Sequence, residues 1–141
     1  MRLRIDRRYR RLPAATARWK ATATHAVPKC VAAAREAESP LAQLVEVDFI
    51  LVSDRTIAKV HGDFLDDPTP TDVITFHHGE ILISLDTAER QAAEHGEDYE
   101  REVARYMVHG LLHLAGWSDH DPAERAEMHR IQEEILDAIW P

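Results

Sequence analysis

Two histidines four residues apart, a glycine three residues further on and a third histidine soon after it constrain this chain more than any other feature. They are His109, His113, Gly116 and His120. Side chains at i and i+4 share one face of a helix, and a glycine is a common way to end one. The third imidazole is then brought back by the loop. Zinc takes imidazole nitrogen readily, and three protein ligands leave a fourth position open, as in catalytic sites. The spacing therefore points to one zinc ion on His109, His113 and His120 and to a hydrolytic enzyme; polar helix-face histidines are the plain alternative. Gly110 lies inside the same helix, where glycine costs about 1 kcal/mol relative to alanine. That cost is easiest to accept where a backbone or a ligand must come close. In HExxH peptidases this position is a glutamate that acts as general base. Here it is Gly110, so the zincin-like peptidase reading lacks its base.

A chain of 141 residues suits one domain with a real core, and residues 1–141 are read as one. Hydrophobic residues make up 45% and charged residues 30%, ordinary values for a soluble protein. The single cysteine, Cys30, excludes an internal disulfide framework and suits a reducing compartment. No apolar run approaches a membrane span. The net charge of −8 hides an asymmetry: residues 1–35 carry ten Lys and Arg against one Asp, while the remainder is strongly acidic. An Arg-rich start can be a transit peptide, a solvated face or a surface for a phosphate backbone. The Leu3/Ile5 alternation reads as a strand and argues against a cleaved presequence. Arg7, Arg8, Arg10 and Arg11 are the candidate RNA-binding residues.

Periodicity organises the rest. Arg2–Asp6 alternates as a strand. Ala14 to about Ala37 is rich in helix formers, and Pro28 is expected to kink or split that helix. Leu44–Val52 reads as a buried strand, followed by a short helix capped by Ser53 or Asp54 and reaching about His61. Asp72–Phe76 and Glu80–Leu85 read as strands around a His77-His78-Gly79 turn. Asp86 is the expected cap of a helix over Thr87–Glu94, Asp98 of one from Tyr99 to Ala115, and Asp121 of the last, with Pro122 at its first position. Tyr99, Val103, Met107, Leu111 and Leu114 follow core spacing; Glu102 and Arg105 share the histidine stripe instead. The expected fold is α+β, a small mixed four-stranded sheet packed with helices.

With these motifs in order, the chain resembles the YbeY endoribonucleases, or ribosomal RNA maturation factors. The family signature H-G-x-L-H-L-x-G, then an aromatic residue and D-H, is matched by His109-Gly110-Leu111-Leu112-His113-Leu114-Ala115-Gly116-Trp117-Ser118-Asp119-His120. Pro70–Phe76 resembles the family's P-T-D-V-L-S-F strand and Gly79–Ser84 its G-D-I-x-I-S strand. The resemblance covers roughly residues 44–140. It implies three histidines on zinc and hydrolysis of phosphodiester bonds in single-stranded RNA. It further implies a role with ribosomal RNA or the small ribosomal subunit, in the cytoplasm.

Two positions depart from the pattern. Family members usually space the last two histidines as H-x5-H; here they are H-x6-H, with Ser118 additional. A gapless match makes Asp119 the third ligand, while the retained Asp-His pair favours His120, leaving Asp119 to orient a ligand histidine. Many members also have an arginine where this chain has Leu65, and Arg55 and Lys59 are the nearest stand-ins. Glu102 and Asp72 are the candidate general bases, each with a plain alternative: a salt-bridged glutamate and a turn cap. Trp117 could stack on a base or pack beside the metal loop. A ribosome-assembly protein with a mainly structural zinc is a third reading beside nuclease and peptidase.

Overall fold

The sheet grows from four segments that alternate or run apolar. The structure, a computed structural model, describes residues 1–140. Strands β1 (Arg2–Arg7), β2 (Glu46–Val52), β3 (Val73–Phe76) and β4 (Glu80–Ser84) form a four-stranded sheet in the order β1-β2-β4-β3. β1, β2 and β4 are parallel, and β3 closes antiparallel onto β4. Register places Leu3 beside Val47 and Phe49 beside Ile81. Because side chains alternate across a strand, Val47, Phe49, Leu51, Ile81 and Ile83 enter one core, while Ile50, Val52, Ile74 and Leu82 enter a smaller one on the opposite face.

Helices then cover both faces. The chain continues through α1 (Thr16–Ala32), α2 (Pro40–Gln43), α3 (Asp54–Leu65), α4 (Leu85–His95), α5 (Tyr99–Leu114) and α6 (Pro122–Ile139). Together with the mixed sheet this is the expected α+β fold. The larger core joins the sheet to α1, α5 and α6. Ile57 of α3 anchors the smaller one. α5 runs through the middle: Val103, Ala104, Met107, Val108, Leu111, Leu112 and Leu114 are all buried. The predicted core stripe is thus only part of what this helix buries.

Local expectations meet three corrections. Pro28 does not split α1, which passes through it and stops at Ala32. Pro28 lies on the exposed side, where the carbonyl it leaves unbonded can turn to water. Asp86 does not cap α4; Ser84 does, its hydroxyl accepting from Thr87 N at 3.1 Å. β4 runs directly into α4, so the last strand residue is the cap. Asp86 instead accepts from the Tyr9 hydroxyl at 2.7 Å and from Asp54 N at 2.9 Å. Finally, α3 continues one turn past His61 and ends on Asp66 in the left-handed conformation.

Candidate metal centre

The histidine helix ends as its sequence requires. After α5, Gly116 adopts a φ of 98°. Its N–H donates to His113 O, and Trp117 N donates to Leu112 O, both at 3.1 Å. This is a Schellman arrangement, which favours a residue without a Cβ at the left-handed step. The turn also swings the Trp117 carbonyl under His113, whose Nδ1 bonds it at 3.0 Å. The Trp117 indole N–H donates to Ala33 O at 2.9 Å, so this ring packs the loop against the end of α1.

His109 is held from α6. Its Nδ1 lies 2.7 Å from Gln132 Oε1, and the Gln132 amide donates to Glu133 Oε2 at 3.1 Å. That second bond fixes which end of the amide faces the histidine. Both Nδ1 atoms therefore meet oxygen acceptors, and both must carry the ring proton. In a neutral ring so oriented, Nε2 keeps its lone pair for a metal ion. These two Nε2 atoms face one another at 3.0 Å. Asp119 Oδ2 stands 3.8 Å from one and 3.6 Å from the other. Two lone pairs and a carboxylate converging in this way repel unless a cation lies among them. Tetrahedral zinc with bonds of about 2.0–2.1 Å to nitrogen would separate its donor atoms by about 3.3 Å, close to the spacing found. The residues present fit a metal ion.

His120 lies outside this group. Its side chain is exposed, and its backbone N–H donates to Ser118 Oγ at 3.2 Å. His109, His113 and Asp119 are the set whose ligand atoms come together. Burial, then the neighbouring His109, holds the His113 imidazole below the usual histidine range, which favours the neutral form that binds metal.

The centre opens on a cleft of about 550 Å³ between α4, α5, α6 and the start of β3. Asp72 and Glu102 both line it. Glu102 is buried and paired with Arg105, which also binds Glu97 at 2.6 Å and grips Glu133 with two nitrogens at 3.0 Å. Asp72 uses Oδ1 to accept from Val73 N at 2.8 Å, a strand-start cap. A chain of ion pairs and hydrogen bonds thus runs from Glu102 through Arg105 and Glu133 to Gln132 and His109. Gln132 escapes a sequence reading because nothing local marks it; only the packing of α6 on α5 brings it to His109.

Gly110 faces away from the centre. A Cβ there would lie 2.7 Å from Ile81 Cγ2 and 3.0 Å from its Cδ1. The close approach anticipated at this position is that of β4, not of a ligand. The basic N-terminal residues are not among those lining the cleft. Arg7 Nη2 donates to Leu12 O at 2.9 Å, Arg8 pairs with Asp6 at 2.8 Å, and Arg10 and Arg11 are exposed. Arg55 and Lys59 lie on α3, outside the cleft lining, and Lys59 is spent on Asp63 at 3.2 Å.

The chain is similar to known proteins of one family. The family model described as Endoribonuclease YbeY matches residues 11–140, further toward the N-terminus than the motifs alone reach. A relative of that name from Gluconobacter oxydans is 32% identical over 133 residues, covering 87% of this chain and 79% of its own length. One from Streptococcus mutans is 46% identical over 79 residues, 54% of this chain and 48% of the relative. One from Myxococcus xanthus is 37% identical over 105 residues, 65% of this chain and 36% of the relative. The chain thus matches about half or less of the length of these last two. A solution structure from Thermotoga maritima shares the fold, with a TM-score of 0.65 over 99% of this chain and 89% of that one, at 23% identity. By the extent of the family match, the chain belongs to the YbeY family.

Proposed function

We propose that this protein is a zinc-dependent endoribonuclease that cuts single-stranded RNA and acts on ribosomal RNA of the small subunit, in the cytoplasm. The observation that carries the metal part is the pair of Nε2 atoms on His109 and His113 that face one another at 3.0 Å beside the Asp119 carboxylate. We take Asp119, not His120, as the third ligand. The RNA part rests on the family and on the name its members carry.

Zinc held there would supply positive charge to a phosphodiester transition state and make water more acidic. The chain's own residues do the rest. Gln132 and the Trp117 carbonyl hold the ring protons at Nδ1 and so aim each Nε2 inward. Glu102 is engaged by Arg105 and serves the positioning chain rather than proton transfer. Asp72, exposed at the cleft, is the freer carboxylate to take a proton from water. Arg10 and Arg11 offer an outer surface for the RNA backbone. The ligand side chains are partly open, 26% for His109, 22% for His113 and 44% for Asp119, which suits a site that substrate must reach. A peptidase is disfavoured because a glutamate at position 110 would be driven into Ile81.

The test incubates zinc-loaded protein with a single-stranded RNA, its duplex and casein, with and without chelator. Cleavage of the single strand alone, abolished by chelator and by His113→Ala in a protein that still melts cooperatively, is expected. Casein hydrolysis, or intact RNA throughout, overturns the reading. Unfolding on chelation would make the metal structural instead.

A further inference from the structure

The cleft lining is rich in acid: Asp72, Asp119 and Glu102 all contribute to it. A phosphodiester entering there meets repulsion unless a cation is free to receive it. Two arginines line the cleft, Arg105 and Arg125. Arg105 is consumed by Glu97, Glu102 and Glu133. Arg90, on the nearby α4, is bound to Asp54 at 3.0 Å and to the Thr87 hydroxyl at 3.1 Å.

Arg125 differs. It is exposed and forms no ion pair among the described residues. One bond holds it, from Nη1 to the Asp119 carbonyl at 3.4 Å. A carbonyl orients a guanidinium without neutralising it. Asp119 therefore turns its carboxylate toward His109 and His113 and its carbonyl toward Arg125. On α6, Arg125 shares a face with His129 and Gln132, four and seven residues on, and all three line the cleft.

We propose that Arg125 is a substrate-binding residue of this chain, a phosphate anchor that receives an RNA phosphate beside the metal centre. The inference rests on the ribonuclease reading above. The guanidinium is planar, always charged and offers a fork of donors that matches two phosphate oxygens. Its place in the cleft lining, bonded to the backbone of Asp119, sets a contact with a phosphate close to the reacting one.

The experiment measures binding of a fluorescent single-stranded RNA to zinc-loaded protein across a salt series, for wild type, Arg125→Ala, Arg125→Glu and Arg125→Lys. Thermal melts and zinc titration run alongside. Arg125→Ala is expected to weaken binding roughly tenfold and to reduce the slope of log K against log salt by about 0.7, one single-strand phosphate contact. Arg125→Glu weakens it further, and Arg125→Lys restores the slope. Zinc affinity and melting temperature stay at the wild-type values, and the cleavage defect appears in KM more than in kcat. Unchanged RNA affinity and slope in Arg125→Ala, with a wild type that binds RNA, overturns the anchor and leaves the ribonuclease reading intact. A wild type that binds no RNA overturns both.

Discussion

Gln132 Oε1 lies 2.7 Å from His109 Nδ1, and that single contact from α6 decides which nitrogen of a histidine on α5 faces the metal centre. Replacing it with leucine removes the acceptor and frees the ring to turn or change tautomer. Gln132→Leu is expected to weaken zinc or cobalt binding by roughly 10–100-fold, measured by chelator competition. Gln132→Glu keeps an acceptor and should retain most of the affinity. Equal affinity in wild type and Gln132→Leu would show that His109 needs no such support.

Asp119 and His120 are neighbours with different surroundings, and metal binding separates them. Asp119→Ala should lower affinity at least as much as loss of an orienting partner, roughly 10–100-fold. His120→Ala should leave it close to wild type, because the His120 side chain is exposed and outside the ligand group. The opposite ranking would assign His120 to the ion.

Gly110 predicts a packing conflict. Alanine is the better helix former by about 1 kcal/mol, yet its Cβ would stand 2.7 Å from Ile81 Cγ2. Overpacking of a core typically costs about 1–3 kcal/mol, so Gly110→Ala should be net destabilising by about 1 kcal/mol in urea unfolding. Trimming the partner in Gly110→Ala/Ile81→Val should recover part of the loss, a coupling that a double-mutant cycle reads directly. Additive effects would mean that the two positions do not touch.

His113 gives the metal-free protein a pH dependence of known sign. Burial, and then His109, lowers its folded pKa below the ordinary value, which is about 6.5 in an unfolded chain. Below that value the unfolded state takes up a proton that the folded state resists. This site's contribution to stability is therefore full at neutral pH and declines as pH falls through about 6.5. It levels off once the folded histidine is also protonated. Urea unfolding of metal-free wild type and His113→Gln between roughly pH 7.5 and 5.5 should show a steeper decline for the wild type. Parallel curves would show that His113 is not held neutral.

The parts of the site written in one stretch of chain are legible from that stretch alone. His109 and His113 share a face because of helical spacing, and Gly116 turns the chain because it can take a φ of 98°. The buried strands and the order of helices are legible for the same reason: apolar period and capping act over a few residues. Legibility fails wherever a partner comes from elsewhere in the chain. Asp86 looks like a helix cap until Tyr9 and Asp54 claim its carboxylate from two other elements. Glu102 reads as a candidate base until Arg105, itself bound across to α6, takes it up.

Sequence by itself determined the α+β class, the helix that carries the histidines and the loop that returns toward them, since each depends on local dihedral preference and hydrophobic period. Tertiary structure decided the remainder. Packing of α6 on α5 chose Gln132 as the partner of His109. Contact with β4 explained Gly110. The path of the loop after Gly116 brought Asp119, rather than His120, to the two imidazoles. No local preference records which of two neighbouring side chains in a loop points inward; only the surrounding elements, packed together, set it.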